Sequence, residues 1–180
     1  RFAEVTISDT EYSINSVLRM LFSFYIRSLH GLLVHSASFI RGGQSYLFPG
    51  ISTAGKSTLS GFTVDTRPEC EILTDEISLV RNIDGKWIAF GTPFWGDLKI
   101  GGRNISAPLK KICFIEKAGA HSAHPIDRQE AFRRFMQNAL FLIKDRQSAQ
   151  ETMDLALEVV GEAETCVLKF KKDAGFWDVI

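Results

Sequence analysis

Residues 50–57 read Gly50-Ile51-Ser52-Thr53-Ala54-Gly55-Lys56-Ser57, the spacing Gly, four residues, Gly, Lys, Ser. Such a segment constrains the fold on both sides of it. Glycines let the backbone curl until successive amide hydrogens converge on one spot, and the curl works between a strand that delivers the chain and a helix that carries it away. Both flanks are legible here: Tyr46 to Phe48 is an apolar strand, and a helix opens near Lys56 and runs through Ser57 to Ser60. The positive end of that helix dipole adds to the converging amides, so a polyphosphate is the natural guest. Gly50, Ser52, Thr53, Ala54 and Gly55 supply backbone, Lys56 reaches the β and γ phosphates, Ser57 can occupy one position around Mg2+, and Thr58 is an auxiliary contact. A Gly-rich turn joining two strands is the plain alternative.

The remaining composition narrows the partners. Lys plus Arg and Asp plus Glu both number 21, so there is no net field to gather nucleic acid or anionic lipid, and an anionic ligand has to be held locally. The apolar stretch Val17 to Ile40 is interrupted by Arg19, Arg27, His30 and His35, which argues for a core and against a membrane span. Cys70, Cys113 and Cys166 are odd in number and form no Cys-x-x-Cys pair, so a reducing, cytoplasmic setting is expected. No leader is visible, and a chain that opens on Arg1 instead of Met leaves its native start open.

The periodicities alternate along one expected domain, residues 1–180. Ile14, Leu18, Leu21, Phe22, Tyr25 and Leu29 predict a helix from Ser13 to Ser28, capped by Asp9, Thr10 or Ser13 and lying on a sheet through those residues. Leu32 to Ile40 and Ser45 to Phe48 predict strands joined at Gly42-Gly43, and Ile77 to Asn82 with Lys86 to Phe90 predict a hairpin about Asp84-Gly85. Leu109 to Ile115 reads as a buried strand. Asp127 with Glu130 opens a helix carrying Phe132, Phe135, Met136, Ala139, Leu140 and Ile143. A helix from Ala149 to Val160 stops at Gly161, and Thr165 to Phe170 is a last strand before the aromatic tail of Phe176 and Trp177. The fold class expected is α/β, with mixed β-sheets and packed helices, not the regular parallel alternation of a doubly wound fold.

Leu73-Thr74-Asp75-Glu76 places two acids after a short apolar pair. An acid at a strand end can hold Mg2+, and a second can take a proton from an attacking hydroxyl. Both serve one site only if the strand ends or bends there, because neighbouring residues on a strand face opposite ways. A solvated turn is the plain reading when such a pair stands alone. His121-Ser122-Ala123-His124 reads as a polar loop in preference to a metal site. Trp87, Phe94 and Trp95 either frame an adenine ring or belong to the core, with core preferred.

The order Leu33-Val34-His35-Ser36-Ala37, glycine turn, apolar strand, glycine loop and Asp75-Glu76 resembles the catalytic domain of HPr serine kinase/phosphorylase. Gly91 to Asp97, Ala107-Pro108-Leu109 and the strand to Ile115 are similar to the smaller HPr-kinase-like proteins, and the resemblance spans roughly residues 32–143. It implies the fold shared with phosphoenolpyruvate carboxykinases, an oligomer, and an ATP- and Mg2+-dependent kinase acting on a hydroxyl.

Carried over by position, Gly50, Gly55, Lys56 and Ser57 match the family's phosphate loop, Asp75 its first acid, and His35 its histidine on the preceding strand. Glu76 stands where the family usually carries a second Asp, and is expected as catalytic base and metal neighbour with His35 orienting it; a satisfied core histidine is the alternative for His35. Asp97 lies near a further expected acidic metal ligand, or is an exposed loop carboxylate. The resemblance does not extend to the long enzymes' N-terminal domain or signature segment. The acceptor expected is therefore a serine of a peptide or protein, or a small molecule, and not HPr. A nucleotide-binding regulatory or peptide-recognition module without phosphoryl transfer is the alternative function.

Overall fold

In the computed structural model of the chain, residues 4–8, 10–141 and 145–180 are described. The architecture is α/β, with a mixed sheet and, among the described residues, four α-helices: α1 (Glu11–Arg27), α2 (Lys56–Thr66), α3 (Arg128–Met136) and α4 (Arg146–Glu162). The strands are β1 (Gly31–Arg41), β2 (Gln44–Pro49), β3 (Cys70–Thr74), β4 (Ile77–Ile83), β5 (Lys86–Phe90), β6 (Ser106–Lys117), β7 (Ser122–Pro125), β8 (Ala139–Leu140) and β9 (Glu164–Phe170).

Two long strands organise the rest. The first half of β1 pairs antiparallel with β4 and β8, and its second half pairs with β2 and β3. β6 does the same, pairing first with β5, then in parallel with β2 and β9. Because β2 contacts both long strands, the pairings β1, β4, β5, β6, β2 run in a closed ring, which leaves those strands few free edges. Ser36, Ser38 and Ser78 sit where β1 passes from one set of partners to the other; their buried hydroxyls bond one another at 2.7 and 2.8 Å.

Period-two alternation sorts side chains between cores. Leu47, Ile112 and Phe114 turn towards Trp87, Phe135, Leu155 and Val159, whereas Tyr46, Phe48, Cys113 and Ile115 turn towards Leu59, Phe170, Phe176 and Trp177. The aromatic tail therefore closes the layer beneath α2. The Trp177 indole N–H donates to Thr63 Oγ1 at 3.0 Å, tying the tail to that helix.

Thr10, one of the three expected caps, does cap α1, accepting from the Ser13 amide, while Asp9 lies outside the described residues. Other expectations need correcting. Ile26 with Phe22 and Leu29 packs against Leu33, Ile77 and Phe94, whereas Ile14, Leu18, Leu21 and Tyr25 remain exposed. The apolar arc of this helix is wider than one sheet can cover, and the face that packs is rotated by roughly 60° from the one its spacing singles out, with Phe22 and Leu29 common to both. α3 ends at Met136; Ala139 and Leu140 leave the helix and pair with Val34 and Leu33, because Asn138 offers its carbonyl to the His35 amide at 2.7 Å. Ile143 lies outside the described residues.

Gly161 does not stop α4, which continues to Glu162; a glycine with helical φ costs a helix only about 1 kcal/mol. His121-Ser122-Ala123-His124 is not a loop throughout, since Ser122–Pro125 forms β7 against β9. His121 instead binds Asp173 at 2.5 Å and helps anchor the tail. No described helix is long and apolar enough to cross a membrane.

Candidate functional site

The loop between β2 and α2 is shaped by what its glycines allow. A Cβ on Gly50 would lie 2.7 Å from an Ile115 side-chain carbon and 2.8 Å from Ala54 Cβ, so only glycine lets the loop fold down onto β6. Gly55 has φ +111°, open to glycine and strained for other residues, and it is the N-cap from which α2 starts. Thr53 adopts φ +71° without being glycine, a local strain of the sort concentrated at functional loops.

Lys56 enters α2 with its ammonium folded inward, donating to the Gly50 carbonyl at 2.8 Å, and its side chain is buried. Burial lowers its pKa, while the carboxylates of Glu76 and Asp97 pull it back up. Ser57 donates to Asp97 Oδ2 at 2.9 Å. A hydroxyl beside a carboxylate is an all-oxygen donor pair of the kind hard cations take, with room for waters to complete the shell.

The acidic pair occupies a bend between β3 and β4, as a shared site requires, yet its two members are used differently. Thr74 Oγ1 accepts from the amides of Glu76 and Ile77 and donates to the Phe94 carbonyl, fixing that bend. Asp75 turns inward: it is buried, its Oδ1 accepts from the Gly96 amide at 2.8 Å and its Oδ2 from the Leu98 amide at 3.1 Å. Its carboxylate thus holds the segment that carries Asp97 over Ser57. Glu76 meets His35 Nε2 at 3.3 Å instead of a backbone amide. That bond, more than any other influence, lowers the Glu76 pKa against the opposing effect of burial, with the charges of Lys56 and Arg19 acting in the same direction as His35. Gly96 lets the loop pass close to both acids, since a Cβ there would approach Glu76 Oε2 to 3.0 Å.

These elements enclose a cleft of about 330 Å³ lined by His35, Ser52, Thr53, Gly55, Lys56, Ser57, Glu76 and Asp97. Residues distant in sequence are thereby brought around one ammonium group. Of the other expected site residues, Asp75 stands behind the cleft, Gly50 and Ala54 line a smaller neighbouring cavity of about 200 Å³, and Thr58 lines neither. Trp87 and Phe94 are buried in the core, and Trp95 faces a cavity against α1. Among the described residues no group of three or more His, Cys, Asp or Glu side chains is arranged to hold a metal.

Arg19 escaped the sequence reading as a site residue. It reaches from α1 to within 4.0 Å of Glu76 Oε1, with its guanidinium 5.5 Å above the centre of the Phe94 ring. No sequence signal marks it, since by its spacing Arg19 lies off the expected apolar face of α1. The chain matches no protein-family model, and no curated protein matches it significantly.

Proposed function

We propose that the chain is a P-loop kinase that uses ATP and Mg2+ to phosphorylate a hydroxyl, with an HPr-kinase-like arrangement of its catalytic residues. The observation that carries this reading is the convergence of the Gly50–Ser57 loop, the Ser57–Asp97 pair and the His35–Glu76 pair on one cleft around Lys56. Further support comes from the order of the parts: a strand bearing histidine, a second strand, the glycine loop, its helix, then an acid pair at a strand end.

In this mechanism the loop amides and Lys56 hold the β and γ phosphates, and Lys56 exchanges its bond to the Gly50 carbonyl for phosphate oxygens. Ser57 and Asp97, with Glu76 nearby, would hold the metal, which when bound neutralises charge on the phosphate oxygens. Glu76 accepts the proton of the incoming hydroxyl, the hydroxyl oxygen forms its bond to the γ phosphorus, and the bond to the β–γ bridging oxygen breaks to release ADP. His35 keeps the Glu76 carboxylate oriented, and Asp75 keeps the Asp97 loop in place. A positioned general base contributes about 10² to 10⁴ in rate, and the rest is positioning and charge neutralisation.

The lowered pKa of Glu76 favours a carboxylate that stays ionised, which also suits a nucleotide-binding module without transfer. Calorimetry of ATP with Mg2+, followed by a phosphate-release assay, separates the readings. Wild type is expected to bind and hydrolyse slowly, Lys56→Ala to lose both, and Glu76→Gln to bind with turnover reduced at least about 10²-fold. A Lys56→Ala variant that binds and turns over normally sinks the nucleotide assignment, and a Glu76→Gln variant with undiminished turnover sinks the base.

A further inference from the structure

The His35–Glu76 pair is a wall with space on both sides. One side is the Lys56 cleft; the other is a separate cavity of about 320 Å³ lined by Arg19, Ile77, Gln137, Asn138, Ala139 and Leu140 together with His35 and Glu76. A carboxylate that takes a proton during transfer has to touch the phosphate donor's cleft and the acceptor's, and Glu76 lines both.

Among the described residues lining the second cavity, Arg19 is the one that carries a fixed positive charge. Its hydrogen-bonding capacity is largely unspent. A guanidinium offers five N–H donors, but Nη2 makes only a long bond to the Trp95 carbonyl at 3.4 Å, and Nε is enclosed without a partner among the described residues. The nearest carboxylate oxygen, Glu76 Oε1, is 4.0 Å from Nη1, beyond hydrogen-bonding reach. The group is nonetheless held in place by the Phe94 ring and the Trp95 carbonyl, so little further ordering is needed to receive a ligand. With Nε enclosed, the Nη1 and Nη2 hydrogens are the donors a ligand can reach, and such a planar pair matches a carboxylate. Because Glu76 already places one negative charge beside Arg19, a singly charged carboxylate is better tolerated there than a doubly charged phosphate.

We propose that this second cavity receives the acceptor, and that Arg19 selects one whose hydroxyl lies close to a carboxylate, carried either by a small hydroxy acid or by an acidic seryl peptide. The inference rests on the phosphoryl transfer proposed above. The carboxylate meets the Nη hydrogens of Arg19 from within the cavity that Arg19 and Glu76 both line, and the adjacent hydroxyl is thereby presented to the Glu76 oxygens at the boundary of the two cavities.

Transfer of label from [γ-32P]ATP tests this with two matched pairs: glycerate against glycerol, and seryl peptide pools flanked by Asp and Glu against pools flanked by Asn and Gln. The charged member of at least one pair is expected to exceed its neutral partner in kcat/KM by about tenfold to a hundredfold, as a charge-assisted hydrogen bond implies. The pair that shows the preference identifies the source of the carboxylate. Arg19→Gln is expected to bring that ratio close to one through a raised KM for the charged acceptor, and Arg19→Lys to keep part of it. Equal use of charged and neutral partners by the wild type, a preference that survives Arg19→Gln, or no labelling of any of the four acceptors despite Lys56-dependent ATP hydrolysis overturns the proposal. Absence of ATP hydrolysis in the wild type overturns the nucleotide reading beneath it.

Discussion

Asp75 offers the sharpest test of how the site is built, because sequence logic makes it a metal ligand and the structure gives both its oxygens to backbone amides. It is 2% exposed and accepts from Gly96 at 2.8 Å and Leu98 at 3.1 Å. Hydrogen bonds to a charged acceptor contribute about 1.5–3 kcal/mol each. Asparagine in its place can keep one bond, at the lower strength of a neutral acceptor, and turns an NH2 group towards the other amide. A buried donor left facing a donor costs about 1–3 kcal/mol, and relief of the carboxylate's desolvation offsets part of the sum. Asp75→Asn is therefore expected to lose about 2–3 kcal/mol of stability. For a chain of this size that is a fall in Tm of about 4–12 °C, and urea unfolding should show a lower midpoint with an unchanged slope. Turnover should fall together with a higher Mg2+ requirement, since the loop that holds Asp97 at Ser57 has lost its tether. A variant within about 0.5 kcal/mol of wild type, with turnover abolished, would refute the structural role and return Asp75 to the chemistry.

The other tests address the scaffold. Trp177 is 1% exposed and packs edge-on against Phe39, Tyr46 and Phe48, so Trp177→Ala is expected to cost about 3–5 kcal/mol in urea unfolding; a loss under about 1 kcal/mol would mean that the tail is not part of the core. Hydrogen bonds from Arg133 and Arg134 hold the Glu130 carboxyl down to about 2 from an ordinary 4.5. A folded-state pKa below the unfolded one stabilises fully above the unfolded value and loses its effect as pH falls through the folded one. Glu130→Gln should accordingly flatten the dependence of stability on pH between about 4.5 and 2, and an unchanged slope in acid titrations followed by circular dichroism would count against the Arg133–Glu130–Arg134 cluster.

What could be read from the chain follows from whether the controlling interaction is local. The Gly50–Ser57 loop, the Asp84-Gly85 turn and the Asp127 cap are set by backbone conformations that particular residues favour within a few positions, and each is where its residues place it. The partners of β1 and β6 are not local. Each long strand serves two sets of neighbours, and only the register of the folded chain brings β2 between them to close the ring. The same distinction divides the site. Lys56 and Ser57 belong to a motif, whereas Arg19 belongs to the site through the way α1 is rotated about its own axis. Its apolar periodicity pointed to Ile14, Leu18, Leu21, Phe22, Tyr25 and Leu29, of which Phe22 and Leu29 pack and the others stay exposed, and a sequence cannot show which part of a broad apolar arc is covered. Asp75 and Glu76 are neighbours in the chain and both approach Gly96, yet Asp75 gives its oxygens to the amides of Gly96 and Leu98 whereas Glu76 meets His35 and lines the cleft. Adjacency in sequence was the poorer guide to shared function; the bend fixed by Thr74 divides the two roles.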